Sequence, residues 1–175
     1  MCFAALAQAA ALPVGEPDVR VREDGDAYVV EVDFFVPVMP PKAWQVLTDF
    51  DHMAEFIPHL ESSRVLQRRG YTWLVAQAGD LEVGIFRFRY ESQREIVLLP
   101  YKSIQGHAMT GTLRLDSLTT LTPDREGTHI HYQAKGTTET PLPAMFGLSI
   151  MSERVRAQFT AMQAEILRRN GRVRG

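Results

Sequence analysis

Residues 144–169 read AMFGLSIMSERVRAQFTAMQAEILRR. Leu148, Met151, Val155, Phe159, Met162 and Ile166 recur there at spacings of three and four, which draws one apolar stripe down an α-helix of about seven turns. Glu153, Arg154, Arg156, Glu165, Arg168 and Arg169 lie off that stripe. Glu165 and Arg169 form an i,i+4 pair in the favourable order. Arginines in the last turn suit the helix dipole, and Gly171 marks a stop. This is the one long helical pattern in the chain, so whatever precedes it has only this stripe to cover it.

What precedes it is mostly β. Residues 60–67, 71–77, 81–91, 95–99, 103–109, 111–121 and 128–138 read as strands, with Arg69-Gly70, Pro100 and Pro123-Asp124-Arg125-Glu126-Gly127 as breaks. In 81–91, Phe86, Phe88 and Tyr90 share one face, and Arg87, Arg89 and Glu91 the other. Further upstream, Tyr28, Val30, Val32, Phe34 and Val36 alternate with Glu31 and Asp33, a period of two. That strand follows a tight turn at Glu23-Asp24-Gly25-Asp26 and a short alternation at 19–22. Between it and the β run the period changes. Pro40-Pro41 suit a first helical turn, and Ala43, Trp44 and Leu47 share a helix face. Asp49 or Asp51 is expected to cap a second short helix over 51–57, ended by Pro58. A sheet with one helix to cover it must curl to bury its inner face. The expected fold is therefore α+β: a curved antiparallel sheet of about six to seven strands, two short helices after the first strand, and the long C-terminal helix across the concave side. The stripe from Leu148 to Ile166 is expected to close over that side without filling it.

The 175 residues suit one domain, expected over 18–171, after a segment 1–17 that ends in the linker Pro13, Gly15 and Pro17. The net charge of -2 and pI of about 6.2 lack the basic excess of a nucleic-acid binder. The single cysteine, Cys2, excludes a disulfide within the chain and any zinc site of several cysteines. The opening MCFAALAQAAAL is apolar and small-residue rich, and Ala7-Gln8-Ala9 or Ala9-Ala10-Ala11 would suit a signal peptidase, yet no Lys or Arg precedes it. It reads either as the tail of a secretory signal, placing the protein in the periplasm or outside the cell, or as a short Ala-rich helix of a cytoplasmic protein.

The element order joins a local pattern. Residues 43–58 read AWQVLTDFDHMAEFIP, in which Trp44, Asp49, Phe50, Phe56 and Pro58, with Ser63 and Val65 beyond, carry a resemblance to the START-like, or SRPBCC, superfamily. Within it the sequence is similar to the polyketide cyclase/dehydrase and lipid-transport group, which includes coenzyme Q-binding proteins. GTLRL at 111–115, GTHIHY at 127–132 and the prolines before the last helix match as well, so the resemblance covers roughly residues 28–170. It implies a helix-grip fold with a cavity under the long helix. It also implies a lipid, sterol, quinone or polyketide as ligand, with cyclisation or dehydration in a minority of members. No catalytic motif is shared across the group, so no catalytic residue carries over by position.

Given that fold, the expected ligand-binding residues are Trp73, Phe86, Phe88, Tyr90 and Met109 from the sheet and Met151, Val155, Phe159 and Met162 from the helix. Met145 and Phe146 are of the same kind. His129 and His131 share a strand face and could hold zinc only with a third ligand. The solvated side of an antiparallel strand is the favoured reading, with Ile130, Tyr132 and Ala134 inward, and no metal is expected. An ionisable group inside the cavity would point to an enzyme, with His107, Arg87, Arg89 and Tyr90 as candidates. Asp49, His52 and Glu55 are explained by capping and solvation. No phosphate-binding, dinucleotide-binding or GxSxG motif is present, and no cofactor is expected. The favoured function is binding or transport of a hydrophobic small molecule, with transient membrane contact for loading. A cyclase or dehydratase and a protein-interaction module are the alternatives. The sequence carries no signature of oligomeric state.

Overall fold

A computed structural model describes residues 14–83, 85–138 and 147–171. The possible signal segment, Met145 and Phe146 lie outside the described residues, as does the side chain of Phe86.

The chain opens with a hairpin of β1, Asp18–Asp24, and β2, Ala27–Val36. Gly25 takes a φ of 63° at the turn, where only a glycine is free of strain. Helix α1, Pro40–Leu47, and a 3-10 helix, Phe50–Glu55, then carry the chain across the molecule. A meander follows: β3, Leu60–Arg69; β4, Thr72–Val83; β5, Phe86–Leu99; β6, Ser103–Thr110; β7, Leu113–Pro123; and β8, Thr128–Thr138. Helix α2, Leu148–Arg169, ends the described fold. All eight strands join one antiparallel sheet in the order β1-β2-β8-β7-β6-β5-β4-β3. The two short helices thus take the chain from one edge region to the other, and β8 returns to pair with β2. The sheet is curved and open, as the sequence order demanded, with eight strands rather than six to seven. No helix among the described residues is long and apolar enough to cross a membrane.

Period-two alternation in β2 places Val32, Phe34 and Val36 inside, all nearly fully buried. They meet Ala43, Val46 and Leu47 of α1, Phe50 and Met53 of the 3-10 helix, and Met162 and Ile166 of α2 in one core. The prolines of α1 occupy its first turn as expected.

Neither Asp49 nor Asp51 caps the 3-10 helix. The Asp49 carboxylate instead accepts from the His52 ring at 2.6 Å and from Arg169 at 2.6 Å. The Asp51 carboxylate accepts from the backbone N–H of Val65 at 2.7 Å and from Arg68 at 2.9 Å. Both acids tie the crossover to neighbouring elements, α2 for one and β3 for the other. The linker read at Gly15 and Pro17 is tied down as well: Gln163 donates to the Gly15 carbonyl at 2.9 Å and Arg156 to the Pro17 carbonyl at 2.8 Å.

Candidate functional site

Between the concave face of the sheet and α2 lies a cavity of about 590 Å³. This is within the size range of pockets for drug-sized ligands. Its roof is the first two-thirds of α2, which presents Met151, Val155 and Phe159, with Met162 at the inner end. Its floor is the inner face of β4 to β8, where Leu81, Phe88, Ile104 and Leu115 supply apolar surface. The crossover closes one end with Leu47, Phe50, Met53 and Ile57.

Six expected ligand-binding residues stand on this lining: Phe88, Tyr90, Met151, Val155, Phe159 and Met162. Trp73 and Met109 do not. Trp73 stands beyond the cavity, edge-on to Phe50 with ring centroids 6.3 Å apart and beneath the Arg68 guanidinium at 4.8 Å. Its indole N–H donates to the Gly70 carbonyl at 3.1 Å. Met109 is 54% exposed. Gln93 of β5 pairs with Thr110 and Arg94 with Ala108, so Met109 is the extra residue of a β-bulge and faces no partner across the ladder.

The candidates for an ionisable cavity group separate in the same way. His107 lies exposed on the outer face, 3.9 Å from Asp116. His129 and His131 are also outside, bonded to Asp124 at 3.1 Å and Asp33 at 2.7 Å, while Ile130 and Ala134 are buried and Tyr132 faces the cavity. Arg87 and Arg89 reach the cavity rim but are neutralised there. Arg87 lies 2.5 Å from Asp80, 2.6 Å from Glu61 and 3.7 Å from Glu82, and Arg89 lies 3.6 Å from Glu61. Tyr90 is inside, and burial pushes its phenol up from its ordinary range.

The deeper polar groups were not among the expected residues. Ser92 and Arg94 follow Tyr90 on the inner face of β5. Arg94 donates to the Gln77 side-chain oxygen at 2.5 Å and reaches Ser117 Oγ at 3.5 Å. Burial pushes the Arg94 guanidinium down from its ordinary value, yet an arginine keeps its charge in such a setting. Burial pushes the Tyr132 phenol up, as it does that of Tyr90. One signal could have found these groups. The alternation Phe88, Tyr90, Ser92, Arg94, Ile96, Leu98 runs unbroken through one fourteen-residue strand, whereas splitting it at residue 91 hides where Arg94 points.

At the rim, Arg154 of α2 donates to the His59 ring and to the Glu82 carbonyl. His59, at a φ of 62°, stands 3.6 Å from the buried Asp80. Gly79 makes this turn possible, because a Cβ there would lie 2.2 Å from the His59 carbonyl oxygen and 2.6 Å from the Tyr90 hydroxyl. Burial pushes the Asp80 carboxyl up, but the Arg87 hydrogen bond and charge outweigh it and hold the group below its usual range. His59, Asp80 and Glu82 bring one possible ligand atom each within 4.8 Å of one another. The two arginines already satisfy that cluster.

The profile of the polyketide cyclase/dehydrase and lipid transport family matches residues 36–163. The chain belongs to this family. Its match spans the crossover, the meander and most of α2, which are the elements that enclose the cavity. Among solved structures, a protein of Thermus thermophilus superposes with a TM-score of 0.69 at 15% identity, covering 81% of this chain and 98% of that one. The Zhui aromatase/cyclase of a Streptomyces species gives 0.64 at 18% identity, covering 82% and 96%. A STAR-related lipid transfer protein of Xanthomonas axonopodis gives 0.63 at 11% identity, covering 85% and 98%. At these identities the likeness concerns the fold. Among curated proteins, none matches this chain in sequence.

Proposed function

We propose that this protein binds and carries a hydrophobic small molecule of the lipid, quinone or polyketide-like kind. The observation that carries the reading is the cavity itself. A space of about 590 Å³ stands open between sheet and helix, although close packing is the rule in protein interiors. Apolar side chains from α2 and the sheet make most of its wall, the composition expected where a ligand is held by burial of apolar surface. The family, with lipid transport in its description, and a lipid transfer protein of the same fold support it. An interaction module would favour a collapsed interior and is not supported. The test is native mass spectrometry of the purified protein, with extraction and identification of any retained small molecule. Bound lipid or quinone is the expected result. A clean apo mass with no uptake from a lipid and quinone panel would overturn the reading.

A second reading is a cyclase or dehydratase. It is favoured by one observation, that Tyr90 and Arg94 place ionisable groups against the space a ligand would fill. An aromatase/cyclase shares the fold. Turnover of a poly-β-keto thioester analogue, lost in Tyr90→Phe, would support it, and binding without turnover would leave the carrier.

A further inference from the structure

Arg94 and the other cavity arginines are paired differently. At the rim, Arg87 and Arg89 share three carboxylates between them. Arg154, the remaining arginine on the lining, is held by an imidazole and a carbonyl. Arg94 lies seven residues further along β5, about 23 Å of extended strand from Arg87. No ion pair joins it to a carboxylate among the described residues. A guanidinium has five N–H donors, and the bonds it makes here are those to Gln77 and Ser117, both to neutral groups. A part-buried cation without a counter-charge costs stability, so its presence calls for a reason.

The neighbouring position on the same face supplies a second, independent sign. Ser92 is 6% exposed, lines the cavity, and its Oγ has no hydrogen-bond partner. Buried hydroxyls without partners are rare in native folds, so the one on this cavity-lining residue calls for a partner. The β-bulge that expels Met109 lies opposite Arg94 itself, and bulges re-aim side chains beside functional sites. Tyr90 and Tyr132 line the same cavity.

We propose that Arg94 and Ser92 form an anion subsite deep in the cavity, and that the ligand is an apolar molecule bearing one carboxylate, bound acid-first with its apolar body under Met151, Val155 and Phe159. This rests on the carrier reading and narrows it. The carboxylate accepts from the free N–H groups of Arg94 and from the Ser92 hydroxyl. The guanidinium thereby gains the counter-charge that the protein does not supply, and charge-assisted hydrogen bonds of this kind are the strong ones. An aliphatic acid and a fused-ring aromatic acid share this chemistry, and the experiment separates them.

The test is isothermal titration at neutral pH with two matched pairs, dodecanoate against dodecanol and naphthoate against naphthylmethanol. The expected result is that at least one acid binds about 10- to 100-fold more tightly than its alcohol, and the preferred pair tells which body the cavity fits. Arg94→Gln is expected to erase the preference, bringing acid and alcohol to within about threefold of each other. Arg94→Lys is expected to keep part of it, as a point charge without the fork. Ser92→Ala is expected to weaken the acid alone, by about threefold to tenfold. Equal binding of acid and alcohol by the unaltered protein would overturn the anion subsite and leave the carrier reading standing. Failure of all four compounds to bind would overturn the proposed acid-first ligand, while the carrier reading falls only with a clean apo mass in the native mass spectrometry. A second measurement needs no ligand. Removing a part-buried charge that lacks a counter-ion should raise the apo melting midpoint of Arg94→Gln, by about 2–4 °C. A fall of that size would mark Arg94 as structural and overturn the proposal.

Discussion

The two halves of α2 do different work. The C-terminal end is packed: past Phe159 and Met162, which still line the cavity, Gln163, Glu165, Ile166 and Leu167 are all buried. It is also tied at several points. Gln163 donates to the carbonyls of Gly15 and Phe35, and Arg169 joins Glu165 and Asp49 while lying over the Phe56 ring. The N-terminal half has no buried residue, and its apolar stripe faces the cavity. Arg154 clasps it to the rim. One stripe of similar side chains therefore serves as anchor at one end and as roof at the other. What differs is the wall opposite: β2 and α1 fill the space under Ile166, whereas the curvature of β4 to β8 leaves it open under Met151.

This contrast can be broken most forcefully at Ile166, which is fully buried. Ile166→Ala should cost about 2–5 kcal/mol, the range for a large-to-small change that leaves a new hole, read as a lower urea midpoint with unchanged slope. A cost below about 1 kcal/mol would mean that the anchor half is not packed as described.

The next effect is electrostatic. A hydrogen bond from Arg168, with burial opposing it and Arg169 adding to it, brings the Glu165 carboxyl from 4.5 to about 2. A carboxyl depressed on folding adds stability above its unfolded value and loses it as pH falls through the folded one. The contribution is thus complete at neutral pH and fades between about 4.5 and about 2. Because Arg168 is largely in solvent, it is worth about 1–2 kcal/mol rather than the full shift. Glu165→Gln should remove that part of the acid dependence of the melting midpoint, and an unchanged pH profile in that variant would show that the Glu165 pairing does not stabilise the anchor.

A smaller effect belongs to the clasp. Arg154→Gln should leave global stability within about 1 kcal/mol yet raise amide hydrogen exchange across 148–158 by about tenfold. Equal protection of both halves in this variant would show that Arg154 does not hold the roof.

These differences mark what could be read from the chain alone. The stripe of α2 was legible because a helical period survives whatever lies opposite it. The outward face of His129 and His131 was legible from the alternation with Ile130 and Ala134. The boundary between anchor and roof was not, since nothing in the stripe encodes the curvature of the facing sheet. Leu148, counted in the stripe, ends 37% exposed. Met109 was misplaced because a bulge resets the period of two without any local sign. Arg94 was missed because its strand was read as two pieces. Asp49 and Asp51 looked like caps because local hydrogen bonding is the usual use of such residues, whereas their partners are a ring and a guanidinium for one, and a distant strand for the other.

The smallest expected change in stability is also the sharpest comparison. Met151→Ala removes as much apolar side chain as many core truncations, and in a packed core a Met→Ala change costs about 2–5 kcal/mol. Much of that cost comes from the hole left behind, and at Met151 the hole already exists, because the side chain borders open space. Its truncation should therefore cost no more than about 1 kcal/mol. It should also enlarge the cavity and shift binding toward bulkier ligands in the titration series. Measured beside Ile166→Ala under the same denaturant conditions, the ratio of the two costs reports how empty the roof end is. Equal costs would mean that Met151 is packed as tightly as Ile166, and a cavity roofed by that residue could not exist.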